Sequence, residues 1–453
     1  MIPTQPTRRL LPFAVALVAA FAAGRAAAES PDPVRHYKDT FPKIAGLNIG
    51  SPQNYAAPTY QSALAKYDFL ILGLYRNWTR GGESPRQVVL EIKARNPNVL
   101  LANYTCVMEL YAEPDNLSSG DIYKKVSSEV GPNGKGDWWA RDASGKHLSS
   151  YPRTWSINIT RFVRPDANDD RYPEWLAKRN QESLFGPVPE MDICFSDNTF
   201  YKPRANADWE GNGVNESRND ETVRRNYRQA VAEYWAAIKK ANPRLLIMGN
   251  VDGNSAAGAG YLREPEYAGK IEGALDEKAM GASYSEESFS GWKNMLLSYE
   301  SLIDHTAPPH LVVFGVAGGA TDYVFLRYAL ATALMEDGYL AYTIDGEIYT
   351  KASWYDEFDL KLGHAVDGPQ RTPWKDGLYR RRFENGMAIV NPKGNGARTV
   401  SIEPGYSRFK GVQDPVTNDG TPVTAITLPD RSGIILIRSA PLHQAVHRTR
   451  SAQ

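Results

Sequence analysis

The chain is predicted to fold as an α/β protein, a (β/α)8 TIM barrel followed by a small antiparallel, sandwich-like β domain. Three observations carry this expectation. Eight short apolar runs between Ile44 and Asp345 are each followed by a helical pattern or a long loop, the alternation of a parallel sheet covered by helices. An open doubly wound sheet has the same local pattern, but no Gly-rich dinucleotide fingerprint follows the first run, which weakens that rival. From Leu378 onward the period shortens to alternating strands separated by Asn-Gly, Pro-Lys-Gly-Asn-Gly and Asp-Gly turns.

The strand candidates begin with Ile44 to Ile49, Tyr67 to Tyr75 and Val99 to Tyr104. The second is a near-continuous apolar run of the kind found in a sheet covered on both faces. Ser84-Pro85 opens a helix, Ser as cap and Pro at its first position, that runs to about Arg95. Residues 107 to 164 are rich in Gly, Pro, Ser and Asn, and carry Trp138, Trp139 and Trp155. A loop of that length is functional or disordered, and its aromatics argue against disorder. Tyr172 to Leu184 reads as a helix leading into the central strand, which ends on Asp197. A helix from Glu221 to Lys240 and strands at Leu245 to Asn250, Ile271 to Glu277, Leu311 to Gly315 and Tyr339 to Asp345 complete the barrel, with helices at Gly291 to Ile303 and Tyr323 to Glu336. The barrel is thus assigned to residues 42–370. The β domain is assigned to 378–438, with strands expected at Leu378 to Glu384, Met387 to Val390, Thr399 to Ile402, Phe409 to Val412, Val423 to Leu428 and Gly433 to Arg438, and residues 439–453 to a flexible tail.

Arg8 and Arg9 precede an apolar stretch from Leu10 to Ala23, and Ala26-Ala27-Ala28 offers a small-residue cleavage site. Residues 1–28 therefore read as a signal peptide, 29–41 as a lead-in, and the mature chain as periplasmic or secreted, with a retained signal anchor as the alternative. No other run is long enough to span a bilayer, so no membrane partner is expected after cleavage. Lys plus Arg and Asp plus Glu both number 52, leaving no electrostatic footprint for nucleic acid. The seven His include no paired ligand motif, so neither metal nor cofactor is expected. Cys106 and Cys194 are too few for a disulfide framework and read as free thiols.

Barrel enzymes place reacting groups at strand C-termini. There the chain offers Asn48, Tyr75, Tyr104, Asp197 with Asn198, Asn250 with Asp252, Asp276 with Glu277, and Asp345. Carboxylates, amides and aromatics without metal ligands are what glycoside hydrolysis needs: one acid protonates the leaving oxygen, and one carboxylate attacks the anomeric carbon or activates water. Asp197 is the expected nucleophile or base, kept ionised by Asn198 and Asn250. Glu277 is the expected acid, with Asp276 as substitute and an apolar wall such as Tyr284 or Trp292 to raise its pKa. The bland reading is that Asp197 and Asn198 merely cap the next loop. Of Trp138, Trp139 and Trp155, at least one is expected to face the cleft as a sugar platform. Asp192, which opens the central strand, is expected at the far end of the barrel in a structural role.

The segment Asp192-x-x-Phe195-x-Asp197-Asn198 is similar to the D-G-[IV]-F-x-D-N strand of the family described as hypothetical glycosyl hydrolase family 15, with Ile193 where that pattern has Gly. Tyr355-Asp356-Glu357-Phe358-Asp359-x-x-Leu362-Gly363 and Arg381-x-Phe383-Glu384-Asn385-Gly386-x-x-x-Val390-Asn391-Pro392 resemble its post-barrel and hairpin motifs. The resemblance implies a barrel plus β domain acting on a glycan. Asp356, Glu357 and Asp359 could line the mouth or form an ion-paired turn. The expected function is a secreted glycoside hydrolase with a carbohydrate substrate. The alternatives are a non-catalytic glycan-binding or exopolysaccharide-assembly barrel, and a transglycosylase or polysaccharide lyase.

Overall fold

A computed structural model describes residues 35–49, 54–74, 83–111, 130, 137–251, 261–281, 285–347 and 349–439. The signal-peptide assignment, Tyr75, Asp252, Tyr284, part of the 107–164 segment and most of the tail lie outside the described residues. Residues from His36 onward form one compact unit.

The barrel strands open with β1 (Ala45–Asn48), β2 (Phe69–Leu72) and β3 (Leu100–Cys106). An excursion carrying β4 (Glu109–Tyr111) and β5 (Thr154–Ser156) follows. The barrel then continues through β6 (Ile193–Asp197), β7 (Leu246–Asn250), β8 (Gly273–Met280), β9 (Leu311–Gly318) and β10 (Tyr339–Ile344). These eight barrel strands pair in parallel in the order β1-β2-β3-β6-β7-β8-β9-β10. A parallel bridge between Ile44 and Leu340, with the Leu340 amide donating to the Lys43 carbonyl at 2.9 Å, joins last strand to first.

Alternation along each strand builds two cores. Leu47, Ile71, Ala102, Phe195, Met248 and Val313 belong to one buried cluster inside the barrel. Leu70, Leu101, Cys194, Ile247 and Val312 face the surrounding helices. Those helices are α1 (Pro58–Leu64), α2 (Pro85–Arg95), α3 (Tyr172–Asn180), α4 (Glu221–Ala241), α5 (Glu286–Ser290), α6 (Trp292–His305) and α7 (Tyr323–Ala333). As the sequence implies, Ser84 caps α2 by accepting from the Gln87 amide, with Pro85 at its first position. Asp192 accepts from Lys93 and from the Leu101 amide, at the opposite end of β6 from Asp197.

Beyond the barrel, β11 (Tyr379–Phe383), β12 (Gly386–Asn391), β13 (Arg398–Ser401), β14 (Tyr406–Arg408), β15 (Ala425–Leu428) and β16 (Ser432–Arg438) form antiparallel sheets of order β11-β12-β16-β14 and β13-β15. Met387, Ile389, Val400, Ile426 and Leu436 fill the core between them. The outer face of the larger sheet meets α7 closely: a Cβ on Gly433 would stand 2.7 Å from that of Ala331. Arg381 is buried and donates to the Glu336 carbonyl and to Asp337. The strand expected at Phe409 to Val412 is instead Tyr406–Arg408. Residues just beyond it are drawn off the sheet, because Asp356 accepts from the amides of Val412 and Gln413. Glu357 is buried against Arg327 and Asn418, so this acidic cluster is an ion-paired joint rather than part of the mouth. Among the described residues no helix is long and apolar enough to cross a membrane.

Candidate functional site

The site follows from the parity of the strands. In β3, β6, β7 and β8 the last interior residues of the barrel are Ala102, Phe195, Met248 and Leu275. Two positions further along come Tyr104, Asp197, Asn250 and Glu277, and the same alternation turns all four towards the mouth. There they line a cavity of about 650 Å³, within the usual range for a small-molecule site.

Asn250 stands between the two carboxylates. Its side-chain nitrogen donates to Asp197 Oδ1 at 2.8 Å and to Glu277 Oε2 at 2.8 Å. The tyrosine hydroxyls of Tyr104 and Tyr349 take the other oxygens, Tyr104 donating to Asp197 Oδ2 at 2.6 Å and Tyr349 to Glu277 Oε1. Burial pushes the Asp197 carboxyl above its ordinary range and the Glu277 charge adds to this, while the bonds from Tyr104 and Asn250 pull it down. Strand β8 bulges between Asp276 and Met280 opposite β9, a device that re-aims side chains at functional sites. Gly315 makes this possible, since a Cβ there would meet the carbonyls of Asp276 and Glu277 at 2.6 and 2.7 Å.

A second cluster faces this pair. Glu109, on β4, ion-pairs with Arg204 at 3.2 Å and accepts from Asn198 at 2.6 Å. Burial raises Glu109 to about 7, with Asp197 adding to the rise and Arg204 opposing it. Arg204 also donates to the Tyr151 hydroxyl at 2.8 Å and lies over the Phe200 ring at 4.2 Å. Asn198 has a φ of 61°, a left-handed conformation that Asn tolerates well, and this turns it towards Glu109 rather than Asp197.

Several expected residues lie elsewhere. Asn48 is out of parity and bonds Tyr55 and Tyr60 beneath the helices. Asp345 is exposed in the turn after β10 and does not line the cavity. Trp292 is buried in α6 against Tyr379 of the β domain, its indole donating to Thr332, so it is no wall for Glu277. The three tryptophans are not the platform either. Trp138 packs on Tyr172 and Trp175, and Trp139 meets Trp155, which stacks on His147 at 3.7 Å. Trp138 thus packs the excursion against α3, while Trp139 and Trp155 share the buried core of the excursion with Met108, Leu110, Ile157 and Ile159. Asp276 lines the cavity but is buried one position out of parity from Glu277. Glu109, Tyr151, Arg204, Phe289 and Tyr349 also line it and were not anticipated. Strand-end position could have signalled none of them, because each sits outside the eight barrel strands, on the excursion, on a loop or, for Phe289, on helix α5. Cys106 and Cys194 are both free thiols. Among the described residues no group of three or more His, Cys, Asp or Glu is arranged to hold a metal ion.

Among solved structures, the glycoside hydrolase domain of PelA from Pseudomonas aeruginosa is 13% identical over 67% of this chain and 95% of its own, with a TM-score of 0.39. An alpha-amylase from Geobacillus thermoleovorans, complexed with acarbose, is 9% identical over 89% and 99%, with a TM-score of 0.46. No curated protein matches the chain. The model of hypothetical glycosyl hydrolase family 15 matches residues 93–387, well over half of the sequence, and the chain belongs to that family.

Proposed function

We propose that this chain is a glycoside hydrolase that cleaves a polysaccharide with retention of configuration, Asp197 acting as nucleophile and Glu277 as acid and base. The observation that carries the reading is the shared donor. Two oxygens each 2.8 Å from one nitrogen lie no further apart than twice that distance. Retaining glycosidases hold their carboxyl groups about 5 to 5.5 Å apart, whereas inverting ones need roughly 6.5 to 9.5 Å to admit a water.

An Asp197 oxygen attacks the anomeric carbon while the glycosidic C–O bond breaks, and Glu277 gives its proton to the departing oxygen. The glycosyl group is then esterified to Asp197. Glu277, now a carboxylate, takes a proton from water as that water attacks the anomeric carbon, and the ester bond breaks to return Asp197. At Asp197 the bonds from Tyr104 and Asn250 favour the ionised form a nucleophile needs, against burial, which raises the carboxyl overall. The N-terminal residues 1–28 support export, so the substrate is a glycan of the periplasm or exterior.

The test begins with a panel of bacterial and plant polysaccharides and the purified protein. Asp197→Asn and Glu277→Gln are expected to fold normally and to lose several orders of magnitude in kcat. Proton NMR of the fresh product is expected to show the anomer of the substrate. Inverted product excludes the nucleophilic role, and near wild-type turnover by either folded variant removes that residue from the mechanism.

A further inference from the structure

We infer, on the hydrolase reading above, that Phe289 is the stacking platform for the sugar on the leaving-group side of the scissile bond, so that the chain selects glycans over glycosides with small leaving groups. Phe289 is 67% exposed yet lines the cavity that holds the carboxylate pair. It is not on a loose loop. Its helix α5 is capped by Ser285 and anchored from below: Glu286 accepts from Ser298, and Glu287 accepts from Tyr328 at 2.7 Å and from Arg431 at 2.6 Å. A rigid base thus presents an uncovered apolar ring to the mouth, at a standing cost in hydration that a ligand's apolar face would remove.

Its place in the barrel order gives the side. Helix α5 follows β8, which delivers Glu277, whereas Asp197 is on β6 with β7 between them. Tyr151, held by Arg204, comes from the excursion after β3, next to β6. The carboxylate pair therefore lies between two aromatic rims, Tyr151 beyond the nucleophile and Phe289 beyond the acid. The group that leaves the anomeric carbon, protonated by Glu277, departs towards Phe289, and the occupant that fits a flat, exposed ring there is a pyranose, whose C–H face stacks on it.

The experiment compares wild type, Phe289→Ala and Phe289→Trp on purified oligosaccharides and on the matching glycosyl fluoride, whose leaving fluoride is too small to reach the ring. Phe289→Ala is expected to raise KM for the oligosaccharide about tenfold and to leave kcat/KM on the fluoride unchanged, with Phe289→Trp restoring the oligosaccharide value. An unchanged oligosaccharide KM, or an equal loss on both substrates, overturns the assignment while leaving the hydrolase reading intact. Affinity electrophoresis in gels containing each polysaccharide separates the two claims. A wild type that is retarded but cleaves nothing, with retardation lost in Phe289→Ala, overturns the hydrolase and the leaving-group side with it, and leaves Phe289 as a glycan-stacking ring only.

Discussion

Asp197 ends β6 and Glu277 lies within β8, strands that are not neighbours, yet each accepts a 2.8 Å hydrogen bond from one amide nitrogen, that of Asn250 on the strand between them. An amide nitrogen carries two hydrogens, so both bonds are made at once. The pair is thereby tied together through β7 rather than through its own strands.

Removing that donor takes one hydrogen bond from each carboxyl group, and a bond to a charged group is worth about 1.5 to 3 kcal/mol. Asn250→Ala is expected to lower kcat about a hundredfold, with the circular dichroism of the folded chain unchanged, since the Thr199 hydroxyl bonds the Asn250 backbone carbonyl and not its side chain. Turnover within twofold of wild type would show the shared donor to be dispensable.

Tyr104 donates to Asp197 and holds its pKa down against burial. In Tyr104→Phe that restraint goes and the carboxyl rises further. A nucleophile works only when ionised, so rate is lost as pH falls through its pKa. The acidic limb of kcat/KM is expected to move to higher pH in the variant. A limb that stays in place, or moves to lower pH, contradicts this account of Asp197.

Away from the site, burial raises Glu300 and Glu336 to about 7, and Arg371 lies 3.0 Å from Glu336. Both folded values lie above the ordinary carboxylate value of 4.5. Between those limits the folded chain keeps protons that the unfolded chain has released, so the stability these groups contribute is whole below about 4.5 and lost as pH rises to about 7. Glu336→Gln removes one titrating group. The fall in Tm between pH 5 and pH 8 is expected to be smaller in the variant by roughly 2 °C, read by calorimetry at both values. An equal fall in both proteins rejects the assignment.

The sequence by itself determined the barrel, because eight buried strands must each be apolar over several residues, and the helices between them announce themselves by caps such as Ser84 and by their period. Asp197, Asn250 and Tyr104 were legible for the same reason, being strand-end polar groups. Parity along the strand would have excluded Asn48 and preferred Glu277 to Asp276, since the interior residues Leu47 and Leu275 fix which neighbours turn inward. What only the tertiary structure decided is everything carried by excursions. Whether Trp138 faces a sugar or its own loop depends on how that loop packs, and no local pattern distinguishes a ring that fills a small core from one that lines a cleft. The approach of Glu109, Arg204 and Tyr349 to the carboxylate pair is likewise a matter of chain paths remote in sequence, set by which buried charges and hydroxyls can satisfy one another in the mouth.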